Sequence, residues 1–179
     1  EQSQYLFYPA MFCPHKNHKN LIKAISILRD KGIEINLLLG GKRILEYNKL
    51  SRLVKDLKLE KQVRFTGYIP DEQMGNYYKN AFAMIMPTFY GPTNIPPIEA
   101  ILMDCIPIVS NNYAMPEQFE DAALYFNPHD PVSIAESIEL LIRDKELKDR
   151  LHINGQRIKS KFSRERFESD LYNILMMVN

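Results

Sequence analysis

The sequence predicts a doubly wound, Rossmann-like α/β domain, in which helices cover both faces of a parallel sheet. Short apolar segments alternate along the chain with longer segments whose apolar residues recur three or four positions apart. This alternation is typical of parallel strands that are joined by crossover helices. Residues 81–86 are apolar at every position, which indicates a strand buried on both faces.

The order of the elements follows from where each apolar pattern starts and stops. The predicted strands are short apolar runs: 5–9, 33–39, 63–66, 81–86, 106–110 and 123–126. The predicted helices carry periodic apolar residues: 20–30, 45–57, 71–80, 98–103, a helix after Asp130, 145–161 and 164–177. Gly32 ends the first helix, and Asp130 followed by Pro131 is a strong helix start. The apolar stripe of the last helix favours packing in the core of this domain over packing on another domain of a longer protein.

Composition is that of an ordinary globular domain, taken here as residues 1–179. The chain is 45% hydrophobic and 25% charged, and its net charge of +1 gives no electrostatic footprint for nucleic acid. Cys13 and Cys105 lie far apart, which favours a reducing compartment over a disulfide framework. No apolar run approaches the roughly 20 residues that span a bilayer. The abrupt start beside the first strand suggests a domain cut from a longer protein.

Ligands of doubly wound folds bind where loops leave the carboxyl ends of the strands. The loop after the first strand is basic and opens a helix, so Lys16 either binds phosphate or is simply solvated. His15 and His18 are three positions apart but have no third ligand nearby, so we expect no metal site. Gly40 and Gly41 after the second strand permit a close approach to a ligand, or make a plain tight turn.

Two further loops are candidates for a site. Tyr68 and Ile69 follow the third strand, where they would cover a flat base or form the edge of the core. The loop after the fourth strand, residues 87–99, holds four prolines and is therefore rigid. Thr93 and Asn94 are good caps for the helix that follows, whose free N–H groups would bind an anion. Glu99, about one turn inside that helix, is either an acceptor for a sugar diol or a partner of the helix dipole.

These loops together resemble the C-terminal domain of the GT-B glycosyltransferases, specifically the retaining glycosyltransferase family 4. That family has the pattern E-G-F-G-L-P-x-L-E-A-x-A-x-G-x-P-V-V after a strand, whereas residues 91–100 here read G-P-T-N-I-P-P-I-E-A. Pro96, Glu99, Ala100 and Pro107 match outright, and Ile95 matches in kind. The resemblance extends from the first strand to about residue 141.

The resemblance implies a donor site for a nucleotide diphosphate sugar. Glu99 would bind the ribose hydroxyls, while Lys16 and the backbone around Asn94 and Ile95 would hold the diphosphate. Tyr68 and Ile69 would hold the base. The residues expected at the donor in addition to these are Gly41, Pro92 and Thr93. Catalytic roles are expected for Lys16, Asn94 and Glu99.

Three positions depart from the family pattern. Gly91 stands where the first glutamate of the E-x7-E motif is expected, a residue that contacts the donor sugar and supports its developing charge. Met11 replaces an arginine, and Asn17 replaces the glycine that follows the lysine. A branch of the family reads G-P-T-N-I-P-P-x-E together with P-H-K-N-H, which this chain resembles closely. We interpret the departures as coordinated changes, with Thr93 or Asn94 taking over sugar contacts, and loss of activity is the alternative.

The implied reaction moves a sugar from a UDP- or GDP-linked donor to an acceptor hydroxyl with retention, in polysaccharide, O-antigen or glycolipid assembly. No cofactor and no metal are expected. The implied partners are the donor, an N-terminal acceptor domain of the same polypeptide, and an acceptor glycan or lipid-linked sugar. The fragment alone should bind the donor without turnover. The expected location is the cytoplasm, with peripheral attachment at the inner face of the plasma membrane through the other domain.

Other classes stay open at this point. A catalytically inactive nucleotide-binding domain, a flavodoxin-like interaction domain and a fragment of a sugar-nucleotide epimerase share the fold class. A dehydrogenase is disfavoured, because the glycine fingerprint for dinucleotides is missing from the sequence. A nucleotide-binding Walker loop is also disfavoured, because the sequence contains no glycine–lysine pair followed by serine or threonine.

Overall fold

Six parallel strands form one sheet in a computed structural model, which describes residues 4–44, 46–91 and 94–177. The strand order is β3-β2-β1-β4-β5-β6, the order of a doubly wound dinucleotide-binding fold. The strands are β1 (Tyr5–Pro9), β2 (Asn36–Gly40), β3 (Val63–Gly67), β4 (Ala83–Met86), β5 (Pro107–Ser110) and β6 (Leu124–Phe126). Every strand pair is parallel, so the predicted fold class is confirmed.

Helices connect the strands and cover both faces of the sheet. They are α1 (His18–Asp30), α2 (Tyr47–Asp56), α3 (Asp71–Asn80), α4 (Ile95–Leu102), α5 (Met115–Phe119), α6 (Pro131–Arg143), α7 (Lys145–Lys159) and α8 (Arg164–Met177). Short 3-10 turns lie at Pro14–Lys16, Glu120–Ala122 and Ser160–Phe162. Helix α1 packs against α2 and α6, whereas α4 packs against α3 and α7. These two groups bury the central strands from either side.

Local chemistry explains several boundaries. The Asp130 carboxylate accepts a hydrogen bond from the Val132 backbone N–H at 2.9 Å, so the predicted start of α6 is confirmed. Helix α4 starts three residues earlier than predicted, because prolines in a first turn lack only N–H groups that have no partner inside the helix. Helix α5 was not predicted, since its five residues are too few to show a period.

The sheet has a switch point between β1 and β4. The chain runs outward from β1 through β2 to β3 and then returns to place β4 on the other side of β1. Leu6, Phe7 and Tyr8 in β1 are fully buried, as befits the centre of the sheet. Connections leave β1 and β4 in opposite directions, so a crevice opens at their carboxyl ends. This edge of the sheet holds the candidate site.

Helix α8 differs from the other helices, because its apolar side chains are exposed. Phe167 is 67% exposed and Ile174 is 59% exposed, and the helix packs mainly on the short turn that precedes it. The prediction that this stripe packs within the domain is therefore wrong for the described residues. Within the same residues, no helix has the length and apolar character needed to cross a membrane.

A histidine is buried beneath the loop that follows β1. His18 begins α1 and is 2% exposed, with its ring between those of Tyr8 and Phe12. No atom of the described residues has hydrogen-bonding geometry to either ring nitrogen. Burial therefore lowers the pKa of His18 to about 3; the backbone of Ala10 acts in the opposite direction, and the charges of Lys16 and His15 lower the pKa further. The folded protein keeps this imidazole neutral.

The buried imidazole predicts a loss of stability on mild acidification. Below about pH 6.5 the unfolded chain binds a proton that folded His18 does not, so the free energy of unfolding should fall as pH drops towards 3. One such proton gives a slope of at most about 1.4 kcal/mol per pH unit. Urea unfolding between about pH 7 and pH 5, above most carboxyl titration, measures this slope. His18→Gln should flatten it and His152→Gln should not, and equal slopes in all three proteins would contradict the assignment.

Candidate functional site

The loops after β1 and β4 are hydrogen-bonded to each other across the crevice. The Phe89 backbone N–H donates to the His15 carbonyl at 2.8 Å, and the Thr88 hydroxyl lies 3.0 Å from the same oxygen. The Tyr90 ring stacks on the His15 imidazole with centroids 4.9 Å apart. A Cβ atom added to Gly91 would lie 3.7 Å from the Lys16 Nζ atom. The structure therefore brings Lys16 and Gly91 together, although 75 positions separate them.

Lys16 ends the 3-10 turn that follows β1. Its carbonyl accepts a hydrogen bond from the Tyr8 hydroxyl at 3.0 Å, which fixes the turn to the central strand. The ion pairs formed among the described residues do not include Lys16. A glutamate at position 91 would place a carboxylate beside this ammonium group, and glycine does not. No acidic side chain of the described residues therefore neutralises the Lys16 charge.

The amino terminus of α4 has fewer hydrogen-bond donors than an ordinary helix. Asn94 precedes the helix with left-handed backbone angles of φ 47° and ψ 33°. Pro96 and Pro97 in the first turn have no N–H, so the backbone donors there belong to Asn94 and Ile95. Among the described residues neither N–H has an acceptor. The pair matches the backbone position that the resemblance implies for the diphosphate.

The side chain of Asn94 does not cap α4, contrary to the sequence prediction. Its amide donates instead to the Gln118 side chain at 2.7 Å, and Asn94 is 7% exposed. Side-chain caps need an extended backbone at the capping residue, and a left-handed one turns the side chain away. Gln118 lies on α5, which the sequence did not predict. Pro92 and Thr93, the remaining predicted residues of this loop, lie outside the described residues.

Glu99 is held by a buried tyrosine that the sequence analysis did not identify. The Tyr78 hydroxyl at the end of α3 donates to Glu99 Oε2 at 2.7 Å. Tyr78 is 1% exposed, and burial, followed by the hydrogen bond and the charge of Glu99, raises its pKa well above the usual range. The phenol therefore remains a donor, and one carboxylate oxygen of Glu99 is fixed. The helix pattern of residues 71–80 could not show that Tyr78 faces this acid.

A separate pocket of about 400 Å³ lies at the carboxyl ends of β1, β2 and β3. Gly41, Tyr68 and Ile69 line it together with Lys42 and Met74, and Tyr68 and Ile69 are the residues to which the resemblance assigns the base. Ile69 is 5% exposed and Tyr68 is 64% exposed, so one forms the floor and the other the rim. A larger depression of about 520 Å³ lies against α2 and contains none of the predicted site residues.

Three predicted residues thus line the pocket, and four others lie at the crevice between β1 and β4 or on α4 beside it. The loop after β1 borders both, because Pro9, Ala10 and Met11 line the pocket and Lys16 lies at the crevice. The two parts are adjacent regions of one edge of the sheet.

The two histidines of the loop after β1 do not form a metal pair. His15 stacks on Tyr90, whereas His18 lies in the core against Tyr8. Across residues 4–44, 46–91 and 94–177, no group of three or more histidine, cysteine and acidic side chains is arranged to hold a metal ion. That the donor site works without a metal stays a prediction.

The family of the chain follows from its match to known sequences. The model of Glycosyl transferases group 1 matches residues 1–158, which is most of the chain. The chain belongs to this family. It is 30% identical over 172 residues to the O-antigen chain mannosyltransferase B of Escherichia coli, and the match covers 94% of this chain and 45% of that protein. The chain therefore spans less than half the length of this curated relative.

Solved structures confirm the fold. Alr3699/HepE from Anabaena, solved in complex with UDP, is similar with a TM-score of 0.87 and 18% identity, covering 98% of this chain and 49% of that one. The C-terminal domain of a glycosyl transferase group 1 family protein (LpcC) from Francisella tularensis is similar with a TM-score of 0.77 and 22% identity, covering 89% and 85%. The chain has the fold of the C-terminal half of a GT-B glycosyltransferase.

The close approach of the first two loops predicts a strict need for glycine at position 41. The Gly41 N–H donates to the Gly67 carbonyl at 2.8 Å, and an added Cβ atom would lie 2.6 Å from the Ala10 carbonyl oxygen. Gly41→Ala should therefore lower the free energy of unfolding by about 1–3 kcal/mol.

Gly155 in α7 is the matched control, because an added Cβ there meets no atom within 4 Å. Gly155→Ala should stabilise the protein by about 0.5–1 kcal/mol. Urea unfolding of both variants measures the difference. A Gly41→Ala protein as stable as the wild type would mean that the two loops do not need this contact.

Proposed function

We propose that this chain is the donor-binding domain of a glycosyltransferase that moves a sugar from a nucleotide diphosphate sugar to an acceptor hydroxyl. The observation that carries the proposal is the placement of Lys16 beside Gly91, in the loop that leads to α4. An ammonium group with no acidic partner among the described residues, together with the backbone N–H donors at the start of α4, would form an anion site. Family membership supports a sugar nucleotide as the source of that anion.

The diphosphate is the group whose charge changes during the reaction. Breaking the bond between the sugar and the phosphate leaves negative charge on the departing oxygen, so donors placed beforehand around that oxygen lower the barrier. Lys16 supplies a full positive charge, and Asn94 and Ile95 supply backbone N–H groups. Their fixed positions mean that little reorganisation is needed as charge develops. In this proposal Lys16 and the backbone at Asn94 stabilise the leaving group.

The nucleoside would occupy the remaining predicted residues. One oxygen of Glu99 is held by Tyr78, which leaves the other to accept hydrogen bonds from ribose hydroxyls. The base would enter the pocket of about 400 Å³, between the rigid floor at Ile69 and the exposed ring of Tyr68. The Lys42 Nζ atom lies 5.7 Å from the centroid of that ring, where it would partly cover the base. Gly41 allows the base to approach the backbone closely.

The proposed sugar and pathway are taken from the name of a curated relative of this chain. The matched Escherichia coli protein is an O-antigen chain mannosyltransferase. We propose a mannosyl donor, retention of anomeric configuration, catalysis without a metal, and a role in polysaccharide assembly. The alternative of a nucleotide-binding domain without transfer is favoured by one observation, which is the missing glutamate at Gly91.

The acceptor side of the reaction is proposed to lie outside this chain. Two apolar side chains at the crevice are exposed, Tyr90 at 55% and Ile95 at 51%. A transferase must exclude water from a reactive sugar, and this open face does not do so alone. An N-terminal acceptor domain of the same polypeptide would cover this face and the exposed stripe of α8. The proposed location is the cytoplasm, with contact to the inner face of the plasma membrane through that domain.

The donor-site assignment predicts nucleotide binding by the 179-residue chain. Isothermal calorimetry should show binding of UDP or GDP and of the corresponding nucleotide sugars. Glu99→Ala should weaken binding by about 1–3 kcal/mol, the range for hydrogen bonds made by a charged group. Glu136→Ala, an exposed substitution on α6, serves as the control and should bind as the wild type does. If the chain bound none of these nucleotides, the donor-site assignment would be wrong.

Because the acceptor surface is proposed to lie outside this chain, we expect the chain to bind the donor without transferring its sugar. The chain alone should release no nucleoside diphosphate from UDP- or GDP-linked sugars in the presence of acceptor glycans, because it lacks the acceptor surface. A coupled assay for the released nucleotide measures this. Turnover by the chain alone would show that the acceptor surface lies within these residues.

A further inference from the structure

Asn17 connects the lysine of the site to two loops from distant parts of the chain. It follows Lys16 directly, is 3% exposed and adopts left-handed backbone angles of φ 57° and ψ 33°. Its amide does not cap α1, although Asn17 occupies the capping position. A buried amide must find other partners, because an unsatisfied one costs about 1–3 kcal/mol.

The two amide hydrogens of Asn17 each bond a carbonyl on a different loop. One donates to the Pro87 carbonyl at 2.8 Å, at the start of the loop after β4. The other donates to the Pro128 carbonyl at 2.7 Å, in the connection between β6 and α6. Both donors of the amide are therefore used. Asn17 ties the loop after β1 to two loops that approach it from the other half of the sheet.

These bonds complete a set that fixes three consecutive residues. The His15 carbonyl accepts from the Phe89 N–H, the Lys16 carbonyl accepts from the Tyr8 hydroxyl, and the Asn17 side chain donates to Pro87 and Pro128. Lys16 lies at the centre of the set. Its backbone cannot shift without breaking at least one of these bonds, so its ammonium group starts from a fixed point.

From this geometry we infer that Asn17 is a positioning residue that holds Lys16 at the donor diphosphate, an inference that rests on the proposed function. Glycine, which the family pattern places here, would adopt the same left-handed angles but could make neither bond. Asparagine tolerates these angles better than most residues and adds both bonds. The gain matters because Gly91 offers no carboxylate to hold the lysine by an ion pair.

A double-mutant cycle on nucleotide affinity tests the inference. The proteins are the wild type, Asn17→Gly, Lys16→Met and the double variant, titrated with UDP and GDP by calorimetry. Asn17→Gly keeps the backbone angles and should weaken binding about tenfold, comparable to losing one hydrogen bond to a charged group. In the Lys16→Met background the same change should cause no further loss, because there is no ammonium group left to position.

Asn20→Ala is the matched control. The Asn20 amide also donates to the Pro128 carbonyl, at 3.0 Å, but it lies in the first turn of α1 and makes no hydrogen bond to the described part of the loop after β4. This variant should bind nucleotide as the wild type does, even if its melting temperature falls. Thermal unfolding of every variant separates lost stability from lost affinity.

The possible results separate the positioning role of Asn17 from the proposed donor site itself. Wild-type affinity in Asn17→Gly, or equal losses from that change with and without Lys16, would overturn the positioning role and leave the donor site intact. If Asn17→Gly weakens nucleotide binding only in the protein that retains Lys16, the positioning role is supported. A wild-type chain that binds neither UDP nor GDP would overturn the proposed function and this inference with it.

Discussion

The candidate site depends on the carbonyl oxygen of His15. Strands β1 and β4 are neighbours, but their connections leave in opposite directions, so nothing in the sheet itself joins the loops beyond their ends. The Phe89 N–H and the Thr88 hydroxyl both lie within hydrogen-bonding distance of that oxygen. The Thr88 carbonyl in turn accepts from the Ser110 hydroxyl at 2.8 Å, at the end of β5. A continuous set of bonds thus runs from β5 to the loop that carries Lys16.

Much of the fold was predictable because most of the strands and helices have a local apolar pattern. The boundaries were less so, because a partner strand sets them. Residues 33–35 look like strand, yet β2 begins only at Asn36, where it meets Tyr5 of β1. It then continues to Gly40 opposite Pro9. The register of a neighbouring strand is a long-range property that local periodicity does not contain.

The site was predictable to the extent that loop chemistry and the family resemblance define it. Gly41, Tyr68 and Ile69, which the sequence selects, line one pocket in the structure. The side-chain partners of the acid and amide residues were not predictable. Asn94 donates to Gln118 on a helix too short to show a pattern, and the tyrosine that holds Glu99 lies 21 positions away on another helix. Such pairs arise from how helices pack, which spacing along one chain does not reveal.

The glycine at position 91 changes the charge balance on the proposed path of the reaction. A carboxylate there would have two effects: it would neutralise part of the Lys16 charge, and it would stabilise positive charge on the sugar. Without it, the leaving phosphate meets the full ammonium charge, because effective Coulomb attraction rises when no competing anion lies within a few ångströms. In the proposed reaction the sugar cation would then lack the glutamate that the family pattern places at position 91. If the proposed reaction occurs, bond cleavage at this site should depend more on stabilisation of the departing diphosphate than it would with glutamate at position 91. Rigid placement of Lys16 is then more important, because a mobile and solvated ammonium group would stabilise the departing phosphate less than one already held in position.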